Sequence, residues 1–229
     1  MTCERKLGPY NCCSVVCGDC LELMAELPDG CVDAVITDPP YGTGWVRGGA
    51  SIGVFHAKHE KPDWDVFSTS WIRPSTAHRW AVFCPMDRAR EVGSRFAENG
   101  LLHYRKTNPR PNAPPCEAVV TSFVPWEVEE LEHSAYNGDS PLHPCQKPEG
   151  VMVWLIRSIT EQGETILDPF LGSGTTAVAA KKLGRHFLGF EISEEYCRIA
   201  RERIALVEAQ PNLFEQVKIT QQEFEDLAL

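Results

Sequence analysis

Short runs of β-branched and other apolar residues alternate along this chain with segments of helical periodicity. Val32–Thr37 and Thr165–Leu167 are examples of the first kind, and Thr175–Leu183 is an example of the second. Such alternation is typical of α/β proteins, in which helices cover a mostly parallel sheet. A chain of 229 residues suits one domain and is short for two complete catalytic domains. We therefore predict a single α/β domain over residues 1–229.

Neither a membrane span nor an export signal is predicted. The uncharged apolar runs are shorter than the roughly 18 residues that a span requires. No apolar segment of the secretory type follows the first residues. The chain has 10 cysteines, which we expect to be reduced, because a cytoplasmic chain of this length needs no disulfides. We predict a cytoplasmic protein without a membrane partner.

Charge is unevenly distributed. The formal net charge of −10 argues against nonspecific coating of nucleic acid. Residues 73–110, however, contain eight basic and three acidic residues, whereas residues 191–229 contain nine acidic and four basic ones. Affinity for phosphate follows local charge, so the central part of the chain can face a polyanion. Two solvated helical faces are the alternative explanation.

The stretch Ile166-Leu-Asp-Pro-Phe-Leu-Gly-Ser-Gly-Thr-Thr176 predicts a ligand-binding turn. An apolar strand ends at Asp168, turns through Gly172 and Gly174, and enters a helix of small residues. Glycines allow close approach of backbone to a ligand, and the amides of a helix N-terminus favour an anion. Glu191 follows the next strand, where a carboxylate can accept from both hydroxyls of a ribose. A tight structural turn with a solvated Glu191 is the alternative.

The stretch Val35-Ile-Thr-Asp-Pro-Pro-Tyr-Gly42 predicts a site for an amine on a planar base. Pro39 and Pro40 remove two backbone donors and leave carbonyls free to accept. Asp38 and the Pro39 carbonyl can then both accept from one amino group, while Tyr41 offers a ring for stacking. A structural turn with a packed tyrosine is the alternative.

Together these motifs resemble those of the β-class S-adenosylmethionine-dependent amino DNA methyltransferases. In that class the catalytic tetrapeptide, here Asp38–Tyr41, precedes the cofactor loop, here Asp168–Gly174. Three further stretches match in order: Gly18-Asp-Cys-Leu21, Thr107-Asn-Pro-Arg-Pro111 and His143-Pro-Cys-Gln-Lys-Pro148. The resemblance covers about Val16 to Ile199. It implies a single Rossmann-like methyltransferase domain with a doubly wound sheet, in which the catalytic half precedes the cofactor half.

The resemblance also implies the cofactor, S-adenosyl-L-methionine, and the residues around it. The catalytic set that would hold a flipped base is Asp38, Pro39, Pro40 and Tyr41. The cofactor-binding set is Asp19, Asp168, Phe170, Gly172, Ser173, Gly174, Thr175, Glu191, His143, Gln146 and Lys147. Cys145 departs from the usual threonine, and a thiol is a weaker hydrogen-bond partner at the methionine end.

The implied reaction moves a methyl group to the exocyclic amine of a DNA base. Asp at the head of the tetrapeptide resembles the adenine-N6 members more often than the cytosine-N4 members, so adenine is favoured. A non-catalytic relative that binds nucleic acid or cofactor is the alternative from another class, and RNA or a protein amide is an alternative substrate. The resemblance also implies a bacterial or phage origin, often with restriction–modification; no restriction partner can be identified. Members of the family often form homodimers.

Target recognition is the least determined feature. Residues 128–142 form an acidic recognition segment that is short for an independent domain, and residues 211–229 form a tail of undetermined structure. We predict that residues 42–65 are a mobile loop that contacts DNA, with a disordered lid as the alternative. The predicted DNA-binding residues are Arg47, Lys58, Lys61, Arg105, Lys106 and Arg110.

The sequence does not support two other roles for its cysteines, a catalytic nucleophile and a zinc cluster. A Pro-Cys nucleophile at Cys145 would precede the cofactor loop, whereas in the cytosine-C5 enzymes it follows that loop. The run of Cys12, Cys13, Cys17 and Cys20 could suggest zinc, but it lacks a second paired knuckle. Since the methyl donor is already activated, the reaction requires no metal, and we predict none.

Overall fold

An eight-stranded sheet lies at the centre of the protein. The computed structural model describes residues 3–41, 67–107, 116–123, 130–133 and 146–209. Its strands are β1 (Lys6–Leu7), β2 (Tyr10–Asn11), β3 (Ser14–Cys17), β4 (Val32–Thr37), β5 (Ala77–Cys84), β6 (Gly100–Lys106), β7 (Cys116–Thr121), β8 (Glu130–His133), β9 (Thr165–Asp168) and β10 (His186–Glu191). Its α-helices are α1 (Cys20–Ala25), α2 (Ala89–Gly93), α3 (Glu149–Ile159), α4 (Thr175–Lys182) and α5 (Glu194–Ala209).

The sheet has the strand order β3-β10-β9-β4-β5-β7-β6-β8. Its first five strands are parallel. β7 runs antiparallel to both β5 and β6, while β8 is parallel to β6. The predicted α/β fold with a mostly parallel sheet is confirmed, and the strand that leads to Asp38 precedes the strand that leads to Asp168.

The sheet separates two hydrophobic cores, as expected for a doubly wound fold. Alternate residues of β5 belong to opposite cores: Ala81 and Phe83 pack on one side, Val82 and Cys84 on the other. Buried residues of α3, α4 and α5 belong to the first core. The second core contains Met24 from α1 and Val92 from α2, together with residues of the N-terminal hairpin β1–β2.

The connections that leave β9 and β4 run to opposite sides of the sheet. From β9 the chain continues to β10 on one side, and from β4 it continues to β5 on the other. In open α/β sheets, ligands bind at the carboxyl ends of the strands at this switch point. The two motifs singled out from the sequence lie at the ends of these two strands.

Two predicted elements differ in the structure. The polar pattern of Val128–Pro144 predicts an irregular segment, but Glu130–His133 forms β8 and pairs with β6. The pattern of Asp87–Asn99 predicts a helix, which in the structure is reduced to α2 and a preceding 3-10 turn. α2 ends at Gly93, whose carbonyl accepts from Phe96 N and from the Asn99 side chain, each at 3.1 Å. Among the described residues, no helix has the length and apolar character needed to cross a membrane.

Candidate active site

The parallel strands place four polar residues at one edge of the sheet. β4 ends at Thr37 and is followed by Asp38, β9 ends at Asp168, and β10 ends at Glu191. β9 pairs with both β4 and β10, so these strand ends are neighbours. Residues separated by about 150 positions in the sequence therefore meet at the switch point.

Asp168 connects the catalytic strand to the cofactor loop. Its Oδ1 accepts from the Thr37 hydroxyl at 2.6 Å and from the Phe170 amide at 3.1 Å, and its Oδ2 accepts from the Thr176 hydroxyl at 2.6 Å. Burial raises the pKa of this carboxyl to about 6, although the hydrogen bonds from Thr176 and Thr37 act in the opposite direction. These hydrogen bonds fix Asp168 between the catalytic strand and the cofactor loop, and its contact with cofactor remains a prediction.

Glu191 is held by two backbone amides. Gly172 N donates to Oε2 at 2.8 Å, and Ser193 N donates to Oε1 at 2.9 Å. Gly172 has a φ of 55°, a conformation that glycine adopts at little cost and that turns its amide toward the carboxylate. Burial raises the pKa of Glu191, whereas the amide hydrogen bonds lower it. Each carboxylate oxygen keeps a second lone pair, so a fixed Glu191 can still accept from a diol.

The residues after Gly172 face helix α5. A Cβ on Gly174 would lie 2.9 Å from the Cβ of Ala200, and Gly174 has a φ of 87°. Arg203 donates to the carbonyl and hydroxyl oxygens of Ser173 and, at 3.4 Å, to the Thr175 hydroxyl. These contacts pack the start of α4 against α5, and the contacts of Gly174, Ser173 and Thr175 with cofactor remain predictions.

A buried charge network surrounds Asp38. Lys147 Nζ donates to Asp38 Oδ2 at 2.7 Å and lies 3.0 Å from Glu117 Oε2. The side chains of Lys147, Asp38 and Glu117 are only 11%, 18% and 9% exposed, respectively. Lys106 forms a second ion pair with Glu117. The catalytic carboxylate predicted from the sequence thus belongs to a network of two acids and two lysines.

The network controls the ionisation of its members. Burial raises the pKa of Asp38, and Lys147 opposes this rise. Burial also disfavours the charge on Glu117, but Lys147 and Lys106 outweigh it and lower the pKa of this carboxyl. For Lys147, the two carboxylates outweigh desolvation and raise the pKa of its ammonium. Lys147 is therefore a fixed positive charge that favours ionised Asp38.

Tyr41 forms a hydrogen bond with the Asp38 carboxylate. Its hydroxyl donates to Asp38 Oδ1 at 2.7 Å, and Lys147 Nζ lies 5.3 Å from the centre of its ring. Burial and the nearby Asp38 raise the pKa of Tyr41 well above its ordinary value, so the hydroxyl stays a donor. Both oxygens of Asp38 thus accept from protein groups in this structure, and each retains a further lone pair.

Three further residues that were predicted to bind cofactor contact protein groups in the structure. The Ser173 hydroxyl donates to the side-chain oxygen of Gln146 at 3.2 Å, so Gln146 lies beside the loop after β9, and its contact with cofactor remains a prediction. Asp19 Oδ1 caps helix α1 by accepting from Leu21 N at 2.7 Å, and its contact with an adenine remains a prediction. Phe170 packs edge-on against Trp71 with ring centres 4.9 Å apart.

The predicted DNA-binding residues are only partly described. Arg105 is exposed on β6, at the same edge of the sheet. The Lys106 side chain is largely buried and forms an ion pair with Glu117, so it belongs to the charge network around Asp38, and its contact with DNA remains a prediction. Arg47, Lys58, Lys61 and Arg110 lie outside the described residues, as do His143, Cys145, the 42–65 loop and the 211–229 tail.

Glu117 is the functional residue that sequence reasoning missed. The apolar pattern predicts a strand over Ala118–Val124, which begins one residue after Glu117, whereas β7 begins at Cys116 and includes it. A single acid at the start of a strand of buried apolar residues is the signal that could have identified it, because an isolated buried charge needs a partner.

The chemistry of this edge fits S-adenosylmethionine. Glu191 would offer a fixed acceptor for the ribose diol, Phe170 an aromatic ring, and Gln146 an amide beside the loop. The acidic residues here also suit a sulfonium ion, which carries a positive charge.

Comparisons with known proteins agree with this chemistry. A family model of N6/N4 methyltransferases, described as DNA methylase, matches residues 87–202, which is more than half of the chain. The chain belongs to this family of DNA methylases. It is therefore a DNA amino-methyltransferase, and its cofactor is S-adenosyl-L-methionine. The match begins after Asp38–Tyr41, so the roles of these four residues rest on their own geometry.

Two curated relatives cover most of the methylase. The type II methyltransferase M2.DpnII of Streptococcus pneumoniae is 28% identical, covering 83% of this chain and 88% of its own length. M2.LlaDCHI of Lactococcus lactis subsp. cremoris is 27% identical over the same shares.

Solved structures show the same fold. M1.HpyAVI in complex with SAM is 24% identical, with a TM-score of 0.54 over 83% of this chain and 98% of that one. The cytosine-N4-specific PvuII DNA methyltransferase is 17% identical, with a TM-score of 0.62 over 93% of this chain and 90% of that one.

Proposed function

We propose that this methylase transfers the methyl group of S-adenosylmethionine to the exocyclic N6 of adenine in DNA, at specific sites. The observation that carries the proposal is the Asp38 carboxylate at the end of β4, held by Lys147 beside the strand that leads to the cofactor loop. Asp at this position resembles the adenine-modifying members, and the curated relatives are named as type II methyltransferases.

The residues around Asp38 have complementary tasks in this proposal. The bound cofactor supplies a methyl group that is already activated by its sulfonium charge. Asp38 and the Pro39 carbonyl accept from the two amine hydrogens, which directs the nitrogen lone pair outward and stabilises the charge that develops on nitrogen. Pro40 stiffens the loop, and Tyr41 stacks on a base that has left the duplex. The amine proton leaves afterwards, to Asp38 or to water.

Lys147 is a positioning residue rather than a contact of the methionine end. Its ammonium fixes one oxygen of Asp38 and favours the ionised carboxylate, which is the better acceptor for an amine. Glu117 keeps Lys147 in place from the other side. This arrangement offers a reason for two buried lysines in a protein of net charge −10.

The remaining assignments follow the same logic. Glu191 binds the ribose hydroxyls, while Gln146 and Phe170 line the cofactor pocket. Exposed Arg105 contacts phosphate together with basic residues of the 42–65 loop. Residues 1–229 act as one domain.

The test is methylation of unmethylated DNA by the purified protein, followed by mass spectrometry of the nucleosides. N6-methyladenine is expected with the unaltered protein and is lost in Asp38→Ala. Asp29→Ala is the matched control, since Asp29 is an exposed acid paired with Arg73, on the loop that precedes β4. N4-methylcytosine in place of N6-methyladenine would contradict the proposed target, and failure to methylate DNA while cofactor binds would contradict catalysis.

A further inference from the structure

A group of metal-ligating side chains lies away from the active site. The thiol sulfurs of Cys3 and Cys12 and a ring nitrogen of His186 all lie within 4.8 Å of one another. A fourth candidate is adjacent: Cys13 Sγ is 3.7 Å from Cys12 Sγ and 3.4 Å from His186 Nδ1. The four residues come from the N-terminal hairpin and from the first residue of β10.

We propose that Cys3, Cys12, Cys13 and His186 bind one Zn²⁺ ion that anchors the N-terminal hairpin to the sheet. Three thiolates and one imidazole are a donor set typical of structural zinc. Each thiol would release its proton on binding, and the imidazole would bind through a neutral nitrogen.

The observed distances agree with this coordination. With zinc–sulfur bonds of about 2.3 Å and zinc–nitrogen bonds of about 2.0–2.1 Å, tetrahedral geometry places two sulfurs about 3.8 Å apart and a sulfur and a nitrogen about 3.5 Å apart. The Cys12–Cys13 and Cys13–His186 separations of 3.7 and 3.4 Å match these values. The Cys3 sulfur lies within 4.8 Å of the Cys12 sulfur and of a His186 ring nitrogen, so closure of the cluster requires Cys3 to move toward the ion.

The backbone at Cys13 supports the same conclusion. Consecutive residues of a strand point to opposite faces, so neighbouring cysteines in a strand cannot share one ion. Cys13 has a φ of 57° and is the one non-glycine residue with positive φ in the described part of the chain. This conformation is unfavourable for an L-residue. Here it turns the Cys13 side chain toward the Cys12 thiol, while Cys13 N donates to the Phe187 carbonyl at 2.7 Å.

The location indicates a structural ion. His186 begins β10 and Glu191 ends it. At about 3.3 Å per residue, the two ends of this strand are roughly 16 Å apart. The ion would therefore lie at the amino ends of β3, β9 and β10, opposite the carboxylates of the active site.

The hairpin itself needs such an anchor. β1 and β2 have two residues each, and an isolated two-stranded hairpin is marginally stable at best. Leu7 and Cys12 are nevertheless buried, and Arg5 donates to the Thr165 hydroxyl at 2.9 Å. Zinc would join this small element to the edge of the large sheet.

The cluster differs from the one that the sequence suggested. Cys17 lies at the opposite end of β3, where its thiol is 3.8 Å from the Ile192 carbonyl. Cys3 and His186 had no place in that earlier grouping, because they are 183 positions apart and meet only through the pairing of β3 with β10.

The test is the metal content of the full-length protein after incubation with zinc and removal of unbound ion. One zinc per chain is expected by elemental analysis, with loss of most of it in Cys12→Ser and in His186→Ala. Cys17→Ser and Cys31→Ser are the matched controls and should retain zinc. A wild-type protein without bound zinc, or equal zinc in Cys12→Ser and the wild type, would overturn the proposal.

A second measurement avoids reliance on variants that fold poorly. Cobalt(II) added to the metal-free wild-type protein should give the visible absorption of a tetrahedral thiolate site, and zinc should abolish it. A strong chelator should lower the thermal midpoint of the wild type while leaving that of Cys12→Ser unchanged. Cobalt spectra of octahedral type, or a midpoint insensitive to chelator, would count against the site. Neither readout depends on methylation.

Discussion

The Thr37 hydroxyl donates a hydrogen bond of 2.6 Å to Asp168 Oδ1 across 131 positions of sequence. Thr37 immediately precedes Asp38, and Asp168 begins the loop that leads to Gly172. One buried contact therefore sets the position of the amine-binding residues relative to the cofactor loop. The two halves of the active site are joined through this pair as well as through the pairing of β4 with β9.

We expect Thr37→Val to weaken this connection. The substitution keeps the shape but leaves a buried carboxylate oxygen with one donor fewer, which costs about 1–3 kcal/mol of unfolding free energy. Turnover should decrease more than cofactor affinity, because the altered quantity is the alignment of Asp38 with the loop. Denaturant unfolding and kinetic measurements check this. Thr37→Ser keeps the hydroxyl and should behave as the wild type; equal losses in both variants would contradict the explanation.

Removing Lys147 should shift the pH dependence of methylation. Burial raises the pKa of Asp38 and Lys147 opposes this rise, so Lys147→Met should raise the pKa further. Activity requires the ionised carboxylate and falls as the pH drops through this pKa. The acidic limb of kcat/KM should therefore move to higher pH.

Lys147→Arg is the control for this profile, because it keeps a positive charge beside Asp38. Its acidic limb should stay near that of the wild type. Cofactor affinity is measured in parallel by titration. A Lys147→Met variant with an unmoved limb but weakened cofactor binding would support the methionine-end role suggested by the family resemblance instead.

Asp168→Asn should change how stability depends on pH. The folded pKa of about 6 lies above the ordinary value of 3.8, so the folded state binds the proton more tightly than the unfolded state. The contribution of Asp168 to stability is therefore largest below pH 4 and is lost as the pH rises to about 6. Relative to the wild type, the variant should gain up to roughly 3 kcal/mol over this interval. Unfolding at several pH values measures this difference, and a constant difference would contradict it.

Tyr41 can be tested for stacking separately from hydrogen bonding. Its hydroxyl donates to Asp38 Oδ1, the oxygen that does not accept from Lys147 and that is available to the amine. Tyr41→Phe therefore removes a competing donor and keeps the ring. We expect Tyr41→Phe to retain kcat/KM within a few-fold. Tyr41→Ala should lose stacking worth about 1–3 kcal/mol, or roughly 5- to 150-fold. If both variants lost the same activity, the hydroxyl rather than the ring would be the important group.

Local patterns predicted the strands and the residues that follow them. Val32–Thr37 appears as β4 with the expected bounds, because a buried apolar run bounded by turn residues carries its own signal. For the same reason, Asp38, Asp168 and Glu191 were found from strand ends. The family resemblance then predicts that these strand ends lie in one site.

Such local patterns do not predict contacts between side chains that are distant in the sequence. Glu117 lies near Asp38 because the start of β7 lies beside the end of β5, a pairing that no sequence period encodes, and Lys147 pairs with both carboxylates. The zinc cluster likewise depends on the φ of Cys13 and on a hairpin of two-residue strands. The motif predicts that Gly174 binds cofactor, but it does not predict the close approach of Gly174 to Ala200 of α5.

The packing role of Gly174 can be isolated because the chain contains a second glycine with nearly the same backbone. Gly174 and Gly163 have φ values of 87° and 84°, but a Cβ would meet Ala200 at 2.9 Å in the first case and nothing within 4 Å in the second. Gly163→Ala should therefore cost only the conformational term, about 1–2 kcal/mol. Gly174→Ala adds overpacking between α4 and α5, typically another 1–3 kcal/mol. Unfolding free energies of the two variants measure the difference. Gly174→Ala,Ala200→Gly should relieve only part of the overpacking, because it removes the Ala200 Cβ but leaves its Cα at 3.1 Å, and a glycine within α5 itself costs about 1 kcal/mol. An equal cost for the two single variants would mean that α5 moves aside freely, and the assignment of Gly174 to helix packing would then be wrong.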